Sequence, residues 1–276
     1  MSAICPICPR ACRLSEGQIG FCRARANING RIVPINYGKY TSLALDPIEK
    51  KPLYHFYTGS KILSVGSFGC NLRCPFCQNH QISMSGFNDV PHNEITPQQL
   101  TDLALWLSTE PQGNIGVAFT YNEPFISYEF VRDCCILLHQ VGLKTVLVTN
   151  GHINLQPLRE LLPLIDAMNI DLKGFSQEYY DYVGGYFDCV KQTIAESFDK
   201  CHIEVTTLVV PTKNDDSDDM ERQAQWLSSL SPQIPLHLSR YFPHYQSDIP
   251  TTPIETLQNL RDVARKYLEF DYIGNC

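Results

Sequence analysis

From residue 61 onward, the chain alternates between short apolar runs and longer segments that mix apolar and polar positions. The short runs predict β-strands and the longer segments predict amphipathic helices. Six strands are predicted, at residues 61–65, 114–120, 143–149, 167–171, 202–210 and 236–239. Helices are predicted at residues 96–108, 123–140, 155–162, 176–200 with a break at Gly184-Gly185, 219–230 and 253–267. Alternation of this kind predicts a parallel sheet with right-handed crossovers.

Six strand–helix units predict an α/β fold, a partial (β/α)6 barrel of the TIM type, over residues 61–276. In barrels of that type the chemistry gathers at the C-terminal ends of the strands. Residues 1–60 are predicted to form a small N-terminal cysteine-rich, metal-binding module and a connector. Within the connector, residues 31–37 alternate like a strand, and residues 46–56 form either a solvated loop or a wall or lid of the active site.

The N-terminal module contains four closely spaced cysteines, Cys5, Cys8, Cys12 and Cys22. A segment this short cannot build an apolar core, so something must staple it. Four thiolates suit a closed structural zinc site. A second iron–sulfur cluster fits almost as well, and four free thiols are the remaining alternative.

Composition narrows the possible settings of the protein. The 276 residues carry a formal charge of −7, which argues against a dedicated nucleic-acid surface. We expect no membrane association, because no stretch has the length and apolar character of a membrane span, and the N-terminus lacks a signal pattern. The reducing cytoplasm is therefore expected, where the twelve cysteines read as metal ligands, core residues or free thiols and not as disulfides.

A second cysteine group, Cys70, Cys74 and Cys77, follows the first strand of the predicted barrel with C-x3-C-x2-C spacing. Four thiolates would close a cubane iron–sulfur cluster, whereas three leave one iron open for a non-protein ligand. Phe76 lies within this loop and adds an aromatic wall. The plain alternatives are a chance spacing or a partial zinc knuckle.

Polar residues follow the next three predicted strands: Glu123, Asn150, and the pair Asp171 and Lys173. Each also has an ordinary structural interpretation. Glu123 suits the first turn of a helix, Asn150-Gly151 suits a turn, and Asp171 and Lys173 suit a salt bridge. His237, Arg240 and His244, near the last strand, are weaker candidates for binding an anionic substrate or moving protons.

The cysteine loop resembles that of the radical S-adenosylmethionine (SAM) enzymes. The resemblance implies a [4Fe-4S] cluster on Cys70, Cys74 and Cys77, whose open iron is chelated by SAM. It implies reductive cleavage of SAM to a 5′-deoxyadenosyl radical that abstracts hydrogen from a substrate. It further implies cofactor contacts for Phe76, Glu123, Asn150, Asp171 and Lys173, and no catalytic residue is assigned. Tyr121-Asn122 stands where the family usually has two glycines before the acid.

Four motifs together resemble the AmmeMemoRadiSam-system branch, which is related to pyruvate formate-lyase activating enzyme. They are C-x2-C-P-R-x-C-x4-E-G-x2-G-x-C near the N-terminus, D-P-I-E-K-K-P-L-Y-H-F at 46–56, G-C-N-L-R-C-P-F-C-Q-N at 69–79 and T-Y-N-E-P at 120–124. The branch implies Memo-like and AMMECR-like partners.

The substrate is left open as a small molecule or a protein. The resemblance implies an electron donor such as flavodoxin or ferredoxin. The alternatives are a glycyl-radical-enzyme activase acting on a protein backbone, or a non-catalytic iron–sulfur redox sensor or scaffold.

Overall fold

The computed structural model describes residues 1–110 and 113–276. Its strands, numbered β1 to β14 in chain order, are Ala3–Ile4, Arg13–Leu14, Arg25–Ile28, Arg31–Pro34, Lys39–Tyr40, Ser42–Pro47, Lys61–Gly66, Asn93–Glu94, Asn114–Phe119, Lys144–Thr149, Ala167–Asp171, His202–Val209, Leu236–Arg240 and Asp271–Gly274. Its α-helices, numbered α1 to α8, are His80–Ser83, Pro97–Thr109, Tyr128–Gln140, Leu155–Leu161, Gln177–Val183, Phe187–Ser197, Ser217–Leu230 and Ile254–Ala264. Short 3-10 helices span Ile48–Lys50, Pro124–Ser127 and Leu162–Leu164.

The central sheet has eight strands in the order β14-β13-β12-β11-β10-β9-β7-β6. Neighbouring strands from β7 to β14 pair in parallel, and β6 pairs antiparallel with β7 at one edge. The α/β class, the parallel sheet and all six predicted strands are confirmed. Two strands of this sheet escaped prediction, β6 and β14, and they are its two edges.

The helices connect the parallel strands as the pattern indicated, with different ends. Thr96 caps α2 through a capping box with Gln99. The segment predicted as a helix from residue 123 begins with a 3-10 turn, and Glu123 is its N-cap. Gly184 takes a left-handed φ of 73° at the end of α5, which separates α5 from α6 where the glycine pair predicted a break.

Segment 48–56 lies against the sheet and is not a solvated loop. Ile48 and Leu53 are fully buried against Ile62, Val146 and Ala167, which are side chains of three parallel strands. Transfer of these apolar groups from water supplies the stabilisation. Further along the sheet, the carbonyl oxygen of Pro52 accepts a 2.9 Å hydrogen bond from Asn169 Nδ2. The segment therefore forms a wall, one of the alternatives that the sequence left open.

The N-terminal residues form two small antiparallel sheets, β1 with β2 and β3 with β4. Strand β4 accounts for most of the strand predicted at 31–37. Arg25 anchors the segment to α3 and to the turn before it, because its buried guanidinium pairs with Glu129 of α3 at 2.6 Å and donates to the Ile126 carbonyl at 3.0 Å. None of the helices within residues 1–110 and 113–276 combines the length and apolar character needed to cross a membrane.

Candidate cluster and cofactor site

A cavity of about 560 Å³ opens at the C-terminal ends of the parallel strands. Its lining includes all eight site residues predicted for this end of the sheet, namely Cys70, Cys74, Phe76, Cys77, Glu123, Asn150, Asp171 and Lys173. Because the carboxyl ends of parallel strands share one edge, residues far apart in the sequence meet there. Segment 48–56 supplies one wall through Glu49, Lys50, Pro52 and Tyr54.

The loop after β7 carries the three cysteines as a series of tight turns. Gly69 begins the loop with a φ of +87°, and a Cβ there would collide with the carbonyl oxygen of Cys22. The backbone N–H of Cys77 donates to the Cys74 carbonyl at 3.2 Å, and that of Arg73 donates to the Val183 carbonyl at 2.8 Å. These bonds hold the loop against the end of α5.

Burial dominates the ionisation of the three thiols. It raises the pKa of Cys74 to about 11, although the nearby Lys173 cation acts in the opposite direction. It also raises the pKa of Cys70 well above its usual value, and the charges of Glu123, Cys74 and Cys77 add to the effect. Three mutually interacting thiols at one cavity form a donor set that would bind a cationic cluster as thiolates.

The number of thiols suits a cluster with one open corner. A cubane binds each thiolate at a different iron, so three cysteines hold three of its corners. Within residues 1–110 and 113–276, the four N-terminal cysteines included, no three His, Cys, Asp or Glu side chains are grouped to hold one metal ion. Only Cys70, Cys74 and Cys77 among the described cysteines line this cavity. The residues therefore fit a cluster held at three corners.

Glu123 is buried at the junction of β9 and β10. Its Oε1 accepts hydrogen bonds from the Phe125 N–H at 2.9 Å and the Thr149 hydroxyl at 2.7 Å, and its Oε2 accepts from the Asn150 N–H at 2.8 Å. Burial raises the pKa of Glu123 to about 7, although these three bonds oppose the shift. Glu123 therefore caps a helical turn, as its ordinary structural interpretation predicted, and it also lines the cavity.

Asn150 connects the third parallel strand to the cysteine loop. Its Nδ2 donates to Asn71 Oδ1 at 2.9 Å and lies 3.6 Å from the sulfur of Cys70. Its own Oδ1 accepts from the His152 N–H at 2.9 Å. Asn150 is thus more than a turn residue, because it positions the loop that carries Cys70.

Asp171 and Lys173 form an ion pair, with 2.6 Å between Lys173 Nζ and Asp171 Oδ2. Burial disfavours the Lys173 cation, but Asp171 and Cys74 outweigh burial and raise the pKa of Lys173. The ammonium therefore stays charged beside two of the cysteines. Phe76 is buried between Tyr182 and Tyr241, with centroid distances of 6.1 Å to each ring.

Sequence reasoning missed a polar network that reaches the cavity through His237. Glu204 is fully buried and bonds His237 Nε2 at 2.6 Å, His202 Nε2 at 3.0 Å and the His55 N–H at 2.7 Å. These hydrogen bonds overcome burial and lower the pKa of Glu204 to about 2. Beside it, the buried Thr206 hydroxyl has no hydrogen-bond partner in the described part of the chain. The one feature of the sequence that could have indicated this network is Glu204 itself, a single acidic residue inside a largely apolar strand.

The weaker candidates near the last predicted strand separate. His237 lines the cavity, whereas Arg240 donates from Nε to the Thr252 carbonyl at 2.8 Å and His244 packs on His80. Neither Arg240 nor His244 is among the cavity-lining residues.

The four N-terminal cysteines line a second, smaller cavity together with Arg10, Arg25 and Asn71. Burial raises the pKa of Cys8 to about 12, and the charges of Cys5, Cys22 and Cys12 add to the shift. The four thiols therefore lie within electrostatic range of one another. Asn71 also neighbours Cys70, so the two cysteine sites adjoin.

Residues 64–224 match the model of the Radical SAM superfamily, which is more than half of the chain. The chain belongs to this superfamily. An uncharacterized protein of Methanocaldococcus jannaschii is 40% identical over 282 residues, covering 98% of this chain and 80% of that protein. The pyruvate formate-lyase 1-activating enzyme of Escherichia coli is 25% identical over 59% of this chain and 66% of that enzyme.

Solved structures support the same fold. A domain of pyruvate-formate lyase-activating enzyme from Bacteroides vulgatus superposes with a TM-score of 0.51 and 20% identity, covering 58% of this chain and 99% of that domain. SuiB of Streptococcus suis bound to S-adenosylmethionine gives a TM-score of 0.60 at 13% identity, covering 78% of this chain and 52% of SuiB. The protein is therefore an enzyme of the radical SAM type, and its superfamily implies a [4Fe-4S] cluster and SAM.

Proposed function

We propose that Cys70, Cys74 and Cys77 hold a [4Fe-4S] cluster that cleaves SAM reductively and starts hydrogen abstraction from a substrate. The observation that carries the proposal is the one cavity lined by the buried Cys74, by the half-buried Cys70 and Cys77, and by Glu123, Asn150, Asp171 and Lys173. When bound, the cluster and SAM supply the radical chemistry, and the protein supplies position and charge.

The residues around the cavity have separable roles in this proposal. Glu123 offers a carboxylate to the ammonium of an amino-acid ligand, and Asn150 fixes the loop of Cys70. Lys173, held as a cation by Asp171, stabilises negative charge at the thiolates. Phe76 excludes water from the same side.

Production of 5′-deoxyadenosine tests this proposal. The anaerobically reconstituted wild type should form 5′-deoxyadenosine from SAM after reduction with dithionite. Cys74→Ala should form none, because the two remaining thiolates are too few to assemble a cluster with three protein ligands and one open iron. Cys276→Ser is the matched control, since Cys276 is exposed and lies outside the cavity. Normal product from Cys74→Ala would refute the assignment. A reducible cluster without any product in the wild type would favour the redox sensor.

Two substrate classes have support of different kinds. Segment 48–56 lines one side of the cavity, which favours a small molecule. The similarity to pyruvate formate-lyase activating enzymes is the basis of the alternative, an activase that acts on the backbone of a glycyl-radical enzyme. The sequence motifs favour the AmmeMemoRadiSam branch, with Memo-like and AMMECR-like proteins as partners and flavodoxin or ferredoxin as electron donor.

We infer two units, an N-terminal module and connector at 1–60 and a curled sheet resembling a partial barrel at 61–276. The connector contributes β6 and the packed segment 48–56 to the sheet of the second unit. Curling is supported by segment 48–56, which follows edge strand β6 and places Tyr54 against Tyr272 of the opposite edge strand, with ring centroids 4.9 Å apart. A metal on Cys5, Cys8, Cys12 and Cys22, either zinc or a second iron–sulfur cluster, would staple the module. All twelve cysteines are free thiols, which agrees with a reducing compartment such as the cytoplasm.

Metal analysis distinguishes the two N-terminal alternatives. Iron, sulfide and zinc should be measured in the anaerobically purified wild type and in a variant with alanine at positions 70, 74 and 77. Loss of all iron with one zinc retained assigns zinc to the N-terminal site. Retained iron and sulfide assign a second cluster, and absence of both metals from that variant would contradict a metal-stapled module.

A further inference from the structure

Charge is distributed unevenly along the chain. Residues 1–35 hold five arginines and one acidic residue, Glu16, a formal charge of +4 in a chain whose total is −7. Only one of these arginines, Arg25, is buried and paired with a carboxylate. The N-terminal module is therefore a basic region on an otherwise acidic protein.

Three cations gather where this module meets the cysteine loop. Arg10 bonds the Asn71 carbonyl of that loop, and Arg73 lies in the loop itself. Arg23 directly follows Cys22, whose carbonyl oxygen lies against Gly69 at the start of the loop. Within residues 1–110 and 113–276, none of the three forms an ion pair with a carboxylate. Within the described residues, their positive charge is therefore not neutralised by a carboxylate ion pair.

An aromatic ring completes this surface. The guanidinium groups of Arg10 and Arg73 lie 3.5 and 3.9 Å from the ring centroid of Phe21, which is 36% exposed. Arginine and aromatic side chains are the residues most enriched at the centres of protein interfaces. We call the surface of Arg10, Phe21, Arg23 and Arg73 the basic face.

The basic face is bonded directly to the loop of the proposed cluster. Arg73 donates from Nη1 to the Cys70 carbonyl at 2.8 Å and from Nη2 to the Phe21 carbonyl. Arg10 donates from Nε to the Asn71 carbonyl at 2.9 Å. One guanidinium therefore links the exposed Phe21 to the backbone of a proposed cluster ligand.

We propose that the basic face docks an acidic protein that carries single electrons, of the flavodoxin or ferredoxin type. The proposal rests on the proposed function, because reductive cleavage requires an electron from outside the chain. In the step concerned, one electron leaves the reduced carrier and enters the cluster, the carrier is oxidised by one electron, and no bond forms or breaks. Complementary charge would steer the carrier to the side nearest Cys70.

A nucleic acid is the other polyanion that such a surface could meet. The contacts favour a protein, because the guanidinium groups of Arg10 and Arg73 already donate hydrogen bonds to backbone carbonyls. These carbonyls belong to the cysteine loop and to Gly184, between α5 and α6. The two arginines therefore offer positive charge at that loop but few free donors, whereas recognition of phosphate uses free N–H groups.

Charge reversal on the basic face tests the proposal. Arg23→Glu changes an exposed side chain that bonds no described residue, and Lys266→Glu is the matched control on an exposed lysine after α8. With reduced flavodoxin as donor, we expect Arg23→Glu to raise the KM for flavodoxin about tenfold, and Lys266→Glu to leave it unchanged. Both variants should form 5′-deoxyadenosine at the wild-type rate with dithionite.

The readouts separate failure of docking from failure of the proposed function. Bleaching of the cluster absorbance reports electron arrival, and 5′-deoxyadenosine reports SAM cleavage. Equal KM values for the two variants, or a wild-type KM that does not rise with ionic strength, would overturn the docking site. Bleaching by flavodoxin without product would leave docking intact and refute the proposed function. An RNA oligonucleotide bound by the wild type and not by Arg23→Glu, with flavodoxin kinetics unchanged, would assign the face to nucleic acid.

Discussion

At the scale of single residues, Glu123 shows how one side chain serves folding and chemistry together. Its carboxylate joins β9 to β10 through the Thr149 hydroxyl and the Asn150 N–H, and it caps the turn before α3 through the Phe125 N–H. Burial nevertheless raises its pKa to about 7. The charged form that suits an ammonium ligand is therefore less stable in the folded chain than in the unfolded chain.

This conflict predicts a pH dependence. Because the pKa of Glu123 is higher in the folded chain than in the unfolded chain, the folded chain binds more protons between those two values. The contribution of Glu123 to the free energy of unfolding is therefore fully present below about pH 4.5. It is lost as the pH rises through about 7, and the loss is up to about 3 kcal/mol. In Glu123→Gln this part of the dependence is absent. Urea unfolding of the metal-free chain at pH 5 and pH 8 measures it, and an equal decline in both proteins would contradict the prediction.

How far residues could be predicted depended on whether a local pattern marked them. The spacing of Cys70, Cys74 and Cys77 and the positions of Asp171 and Lys173 at a strand end were readable, and the structure brings all five to one cavity. Glu204 was not, because its partners His55 and His237 come from distant segments that only tertiary packing brings together. Side-chain partners of that kind leave no periodic signal in the sequence.

At the scale of elements, segment 48–56 is the part of the fold that gives the cavity its wall. Leu53 is fully buried against strand residues such as Ile62 and Val146, and Lys51 pairs with Asp46 at 2.8 Å beneath it. The apolar contact and the ion pair together fix the wall against the sheet.

Truncating Leu53 should therefore destabilise the protein. Leu53→Ala is expected to lower the free energy of unfolding by about 2–5 kcal/mol, since the buried side chain leaves a cavity that the rigid strands cannot fill. Ile136→Ala removes a comparable side chain that is 40% exposed on α3 and should cost much less. Urea unfolding of both variants is the measurement, and equal losses would show that segment 48–56 contributes little to the packing.

Elements were predicted well where apolar runs were long and buried on both faces. The six predicted strands are of that type. The edge strand β6 includes Asp46 and Pro47, and β14 is only four residues long, so neither has the continuous apolar run of a central strand. A short edge strand forms because it pairs with a neighbouring strand, and the sequence does not reveal that pairing.

At the scale of the whole molecule, two cysteine groups on separate parts of the chain meet at one end of the sheet. Asn71 lines the N-terminal cysteine cavity and bonds Asn150 at the edge of the larger one. The basic face adjoins both, because Arg10 lines the N-terminal cavity and Arg73 bonds the Cys70 carbonyl. The proposed cluster would therefore have three protein ligands at one cavity and a charged surface bonded to its loop.

The central claim is that the cluster keeps one iron open and binds SAM there. Electron paramagnetic resonance of the singly reduced, anaerobically reconstituted chain, recorded before and after addition of SAM, tests it most directly. We predict a [4Fe-4S]⁺ signal that changes its g values when SAM is added, because a ligand at the open iron alters the electronic structure of the cluster. A [4Fe-4S]⁺ signal that stays identical at saturating SAM, or the absence of any such signal, would contradict the account.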